Sequence, residues 1–233
     1  MPTLTDFSIA SRWAPRDPQA IQLYSFPTPN GVKASIMLEE TGLPYDAHKI
    51  SILDDDQFTP EFLQISPNNK IPAIIDPDGP GGQAIPIFES GAILIYLAEK
   101  TGQLLPADPA KRMEVLQWLM FQMGSVGPMF GQLGFFYKFA GAQIEDPRPR
   151  DRYIAEAKRI LGVIDKQLDG RDWITGEYSI ADIAIWPWIR TLRDFYEAGA
   201  VTDFDSFANV GAALDRFLDR PAVQRGLLQP PRD

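Results

Sequence analysis

Near residue 103 the hydrophobic pattern of the chain changes character, from short strands alternating with helices to helices alone, and a single layered architecture does not accommodate both. Before that point, Ile21–Phe26 reads as a short strand closed by Pro27-Thr28-Pro29-Asn30-Gly31. A helix is predicted from there to about Thr41, with Gly42 and Pro44 as its stop signal. Tyr45–Ile50 reads as a second strand, and the acidic loop Asp54-Asp55-Asp56 leads to Thr59-Pro60, an N-cap followed by proline at the first helical position. The turn residues Ser66-Pro67-Asn68-Asn69 keep that helix short. Ile71–Asp76 and Ala84–Phe88 are predicted as third and fourth strands around a glycine- and proline-rich hairpin, and Pro86, which cannot donate to a ladder, puts the fourth at a sheet edge. Ser90–Thr101 follows as a helix ended by Gly102.

Beyond residue 103 the strand signal stops. Asp108-Pro109 opens a helix by the same cap-and-proline device, and Ile154, Ala157, Leu161, Ile164 and Leu168 step by threes and fours along another. Ser179-x-x-Asp182 is a variant capping box at the head of an apolar helix that Pro187 is expected to bend. Short helices near Phe207–Leu218 and Pro221–Leu228 finish the chain. The expected organisation is an irregular arm over residues 1–20, with Trp13 as a candidate anchor, then an α/β domain over 21–102 and an all-α domain over 103–233.

Two scarcities narrow the chemistry. With no cysteine there is no disulfide, no thiolate metal site and no cysteine nucleophile; with one histidine, His48, there is no two-histidine metal site. A serine–histidine–acid triad would have to run through His48, which sits in a predicted strand with no Gly-x-Ser-x-Gly elbow, so His48 reads as a surface strand residue. No metal is expected. A net charge of -9 argues against a phosphate-neutralising surface and hence against nucleic acid. There is no apolar stretch of signal-peptide or membrane-span type, so the expected compartment is the cytoplasm, with no membrane partner.

Three local features could hold a small anionic ligand. Thr28-Pro29-Asn30-Gly31 lies where a strand meets a helix, and a helix N-terminus favours anions and lowers the pKa of a thiol; equally, Thr28 and Asn30 are ordinary cap and turn residues. Lys70-Ile71-Pro72-Ala73 places a proline at a strand entry, where a cis bond is possible and the backbone of Ile71 could pair with a peptide-like ligand. Glu89-Ser90 sits at the next strand–helix junction, with Ser90 as a natural N-cap and Glu89 able to bind an amine.

Taken together, Thr28-Pro29-Asn30-Gly31, Ser66-Pro67-Asn68-Asn69-Lys70-Ile71-Pro72-Ala73-Ile74 and Phe88-Glu89-Ser90-Gly91-Ala92-Ile93 resemble the cytosolic glutathione transferases. More narrowly they are similar to the bacterial nu-class branch, known for glutathione-dependent disulfide reduction. Gln117-Trp118-Leu119, Gly127-Pro128-Met129 and Tyr178-Ser179-Ile180-Ala181-Asp182-Ile183-Ala184 share the likeness, which spans about residues 21–228. The resemblance implies the glutathione transferase fold, a thioredoxin-like α/β domain followed by an all-helical one, with glutathione as co-substrate and a homodimer as the assembly. It implies that Glu89 and Ser90 bind the γ-glutamyl group, Ile71 before a cis Pro72 pairs with the cysteinyl unit, Lys70 approaches the glycine carboxylate, and Gln57 faces the ligand. Thr28 and Asn30 would face the sulfur as the catalytic pair, with Tyr24 in reserve, and Arg152 would reach a neighbouring subunit's site. The activity implied is reduction of small disulfides. Alternatives with the same thiolate are conjugation to an apolar electrophile, for which the aromatic and methionine residues over Met120–Phe139 are a candidate lining, and reduction of an organic peroxide. A third alternative is glutathione binding without turnover.

Overall fold

The computed structural model describes residues 2–231, which fall into two compact units. The first runs to Gln103 and resumes at Pro221; the second is Leu104–Arg220.

The first unit is built on a four-stranded sheet in the order β2-β1-β3-β4, from β1 (Ile21–Ser25), β2 (Tyr45–Lys49), β3 (Ala73–Asp76) and β4 (Ile85–Phe88). β1 pairs parallel to β2 and antiparallel to β3, and β3 pairs antiparallel to β4. Pro86 lies on an edge strand, where a residue without an N–H is tolerated. The central strands β1 and β3 are buried along their whole length, as strands covered on both faces must be. α2 (Gly31–Thr41) and α4 (Ser90–Thr101) each end on a glycine in the left-handed conformation, Gly42 at φ 68° and Gly102 at φ 66°.

The N-terminal arm is not irregular. It forms a 3-10 turn at Leu4–Asp6 and a helical turn, α1 (Ile9–Arg12), then packs Leu4 and Ile9 into an apolar cluster with Tyr24, Phe62 of α3 (Pro60–Leu63), Ala73 and Ile75. Ile9 is the anchor, and Trp13 is only partly buried against the same cluster. Polar contacts pin the arm as well: the Gln64 side-chain oxygen accepts from Ser8 N and Oγ, both at 2.9 Å, and Arg16 donates to Asp46 from its backbone N at 2.5 Å and from Nε at 2.7 Å.

The arm corrects two expectations. His48 is buried, stacked on Tyr24 at 4.8 Å between ring centroids and bonded through Nε2 to Gln22 Oε1 at 2.8 Å, beside Asp46, which the arm's Arg16 binds. Burial pulls the His48 pKa down, against the pull of Asp46. Tyr24, the reserve residue for the thiol, points into the arm cluster, while its strand neighbour Leu23 points to the opposite face. Its hydroxyl is buried with no hydrogen-bond partner, and burial holds its proton on well above the usual tyrosine range.

The last helix, α10 (Pro221–Gly226), belongs to the first unit and not to the helical one. Ser35 Oγ donates to Gly226 O at 2.7 Å, and Arg225 Nε meets Glu39 Oε2 at 2.7 Å. A Cβ on Gly226 would lie 2.6 Å from Ile36 Cα, so only glycine permits α10 to seat this closely on α2.

The second unit is wholly helical apart from one isolated bridge between Thr175 and Glu177: α5 (Pro109–Phe121), α6 (Gly127–Gly134), α7 (Arg148–Gln167), α8 (Ile180–Arg190) and α9 (Ala208–Leu218). Asp108 caps α5 as predicted, accepting from Ala110 N at 3.1 Å and Lys111 N at 2.9 Å. π-helical turns at Gln122–Val126, Phe135–Phe139 and Thr191–Phe195 extend α5, α6 and α8. Asp182 heads α8, fully buried, and its carboxylate accepts from Ile174 N, Ser179 N, Ser179 Oγ and Trp186 Nε1 at 3.0–3.2 Å.

Candidate functional site

Sheet register assembles the site. Tyr24 of β1 pairs with Ala73 of β3, and Ala73 pairs with Phe88 of β4. The C-terminal end of β1, the N-terminal end of β3 and the C-terminal end of β4 therefore meet at one border of the sheet. Thr28–Asn30, Ile71–Pro72 and Glu89–Ser90 continue directly from those three ends, which is why strings far apart in sequence share one place. β2 is parallel to β1, so the loop holding Gln57 leaves from the same border.

At the β1–α2 turn, Asn30 takes the N-cap position in helical conformation and its side chain does not cap the helix. Thr28 does the capping: its Oγ1 accepts from Gly31 N at 3.1 Å and its carbonyl from Val32 N at 3.0 Å. Two helix-start N–H groups expected to face an anion are thus already bonded to Thr28. Its hydroxyl proton can still be donated, because a hydroxyl accepts and donates at once. Gly31 is required here: a Cβ would lie 1.9 Å from Phe26 O and 2.6 Å from Ser25 Oγ.

The Ile71–Pro72 peptide bond is cis. Ser66 Oγ donates to Lys70 O at 2.8 Å and so fastens the turn that enters β3, with the Lys70 side chain exposed. Gln57 Oε1 is buried with no hydrogen-bond partner, an acceptor awaiting a donor.

The β4–α4 junction differs from expectation. Ser90 is the first residue of α4 and buried, and Glu89 occupies the cap position with φ 69° and ψ 116°. A non-glycine residue held there is strained by roughly 1–3 kcal/mol, which the surrounding structure must offset. The consequence is an exposed Glu89 carboxylate next to a buried Ser90 hydroxyl.

Lys33, which the sequence reading passed over, ties the two junctions together. Its side chain is fully buried, with Nζ 2.9 Å from Asn30 Oδ1 and 3.3 Å from Ser90 Oγ. Burial pulls its pKa from the ordinary 10.5 down to about 7, while the nearby Glu89 carboxylate pushes it back up. The sequence does carry one signal: Lys33 is the one charged residue from Gly31 to Leu38, a run that the structure buries throughout.

Arg152 lies on α7 of the second unit with its side chain exposed. Among the described residues no cluster of side chains suits a metal ion, and no helix is long and apolar enough to cross a membrane.

The family model described as "Glutathione S-transferase, N-terminal domain" matches residues 28–100. The disulfide-bond oxidoreductase YghU of Escherichia coli strain K12 is 45% identical over 215 residues, covering 88% of this chain and 73% of that protein. A glutathione transferase of Pseudomonas putida, crystallised with one glutathione disulfide bound per subunit, is 62% identical with a TM-score of 0.96, over 98% of this chain and 99% of that one. Another from Burkholderia graminis, crystallised with two glutathione molecules bound per subunit, is 62% identical with a TM-score of 0.98, over 100% of this chain and 98% of that one.

Proposed function

This chain belongs to the glutathione S-transferase family, and from that premise we propose that it is a glutathione-dependent disulfide-bond oxidoreductase whose nucleophile is the thiolate of bound glutathione. The observation that carries the reading is the convergence of Thr28 and Asn30 with Glu89 and Ser90 at one sheet border, in a chain without cysteine. Disulfide exchange needs an attacking thiolate and a leaving thiolate, so both must come from substrates.

Glu89 and Ser90 receive the amine and carboxylate of the γ-glutamyl group, the Ile71 backbone pairs with the cysteinyl unit, and Lys70 and Gln57 contact the rest of the tripeptide. Thr28 and Asn30 donate to the sulfur and favour its ionised form. That thiolate attacks the glutathionyl sulfur of a mixed disulfide. A new S–S bond forms as the old one breaks, and the electron pair leaves on the departing sulfur, which takes up a proton from water. Glutathione is oxidised to its disulfide and the substrate is reduced to a thiol. The kinship to a named disulfide-bond oxidoreductase, and to relatives crystallised with glutathione disulfide or with two glutathiones, supports this sequence of events. A cytoplasmic homodimer, with Arg152 reaching the neighbouring subunit, belongs to the same reading.

A second reading, conjugation of glutathione to an apolar electrophile, is favoured by one observation: Phe135, Phe139 and Phe195 of the second unit leave large rings exposed.

Asn30→Ala tests the proposal. Loss of a donor aimed at developing charge lowers turnover by about a hundredfold, with glutathione affinity changed far less. Steady-state disulfide reduction and calorimetric titration read the two quantities, and equal losses in both refute the thiolate role.

A further inference from the structure

We propose that Lys33 is the positioning residue of this site: by donating to both Asn30 and Ser90 it turns the Asn30 amide toward the glutathione sulfur and the Ser90 hydroxyl toward the γ-glutamyl carboxylate. This rests on the glutathione reading above and adds a residue that touches neither end of the ligand.

A lysine ammonium has three donors and no acceptor, so the atom of Asn30 that faces it at 2.9 Å is the carbonyl Oδ1. The NH2 end of the carboxamide is then the end that meets an anion. The same ammonium lies 3.3 Å from Ser90 Oγ, and a hydroxyl that accepts from a cation is polarised to donate its own hydrogen more strongly. Asn30 and Ser90 stand at different strand–helix junctions, 60 positions apart, and Lys33 bonds to both.

Burying an ammonium is expensive unless hydrogen bonds and opposite charge compensate it. Asn30 and Ser90 each supply a bond, and the Glu89 carboxylate at the head of α4 favours the charge. An anionic ligand at this border adds to that compensation, so glutathione and the Lys33 charge support one another.

The test is a mutant cycle on the holoprotein with Lys33→Met, Asn30→Ala and the double variant. One readout is the pKa of the bound glutathione thiol, followed by thiolate ultraviolet absorbance; the other is affinity for S-methylglutathione, which has no thiol and reports the γ-glutamyl end. Lys33→Met is expected to raise the thiol pKa by about 1 unit, a roughly tenfold loss of thiolate below the pKa, and to weaken S-methylglutathione about three- to tenfold. On the Asn30→Ala background it adds nothing further to the thiol pKa, because its effect on sulfur runs through Asn30. A folded Lys33→Met with an unshifted thiol pKa overturns the proposal, as does full additivity of the two substitutions. A core-filling lysine would give that additive or silent result. If wild-type protein leaves the bound thiol at its free-solution pKa, the thiolate reading itself fails and the sulfur half of this proposal falls with it. Should Lys33→Met not fold, Lys33→Leu, which likewise carries no donor, enters the same cycle with the same two outcomes.

Discussion

Asp182 offers the sharpest stability test, because its geometry and its burial pull its pKa in opposite directions. Its carboxylate is fully buried and receives three N–H donors, from Ile174, Ser179 and the Trp186 indole, besides the Ser179 hydroxyl. Replacement by alanine orphans those three N–H groups at about 1–3 kcal/mol each, offset in part by removal of a buried charge, so the net loss is about 4 kcal/mol. That is a large share of the roughly 5–15 kcal/mol that holds a domain folded. Asparagine keeps one oxygen and turns an NH2 toward the other donors; the Ser179 hydroxyl can rotate away, which leaves a loss of about 2 kcal/mol. The pH dependence discriminates further. Burial outweighs the four donated bonds and pushes the Asp182 pKa up from 3.8 to about 6. The native state therefore holds a proton between about pH 4 and pH 6 that the unfolded chain has released, so this residue's contribution falls as pH rises through that window, by roughly 3 kcal/mol at most. Asp182→Asn lacks the titration, so its penalty relative to wild type shrinks from about pH 4 to about pH 7. Urea unfolding followed by circular dichroism at the two pH values measures it. A penalty that grows with pH would mean that the hydrogen bonds win over burial and would refute the reasoning.

Tyr24→Phe removes a buried hydroxyl that has no partner, so turnover stays within twofold and stability rises by about 1 kcal/mol, read by disulfide assay and thermal melt; a tenfold loss of turnover would return Tyr24 to the reaction. Gly31→Ala puts a methyl group 1.9 Å from Phe26 O and must displace the turn carrying Thr28 and Asn30, so glutathione affinity falls more than about tenfold by calorimetry while the far-ultraviolet spectrum is retained. Unchanged affinity would show that the turn does not contact the ligand.

What the sequence disclosed, and what it hid, divides along a physical line. Local chemistry was legible: Asp108-Pro109 and Thr59-Pro60 start helices, Gly42 and Gly102 end them, and Pro86 lies on an edge strand. The junctions that carry Thr28, Asn30, Ile71, Glu89 and Ser90 were legible because each is a turn or cap with its own residue chemistry. What depended on distant partners was not. Lysine ordinarily reads as solvent, and the burial of Lys33 follows from Ser90, 57 positions away. His48 stands in a strand whose polar residues are buried by distant partners, Asp46 by Arg16 of the arm and His48 by Tyr24 and Gln22. The arm's apolar residues are too few and too irregularly spaced to show a period, so its packing through Ile9 is a tertiary fact. α10 was legible as a helix, but its place in the first unit is fixed by Gly226 against Ile36. The π turns place aromatic residues out of the regular helical phase and so disguise which of Phe135 to Phe139 are exposed.

The most direct test of the central claim is the steady-state rate at which wild-type protein reduces a small dialkyl disulfide with glutathione, coupled to glutathione reductase, beside aryl-halide conjugation by the same preparation. Strong disulfide turnover and weak conjugation are expected. Glutathione binding with no disulfide turnover would contradict that claim.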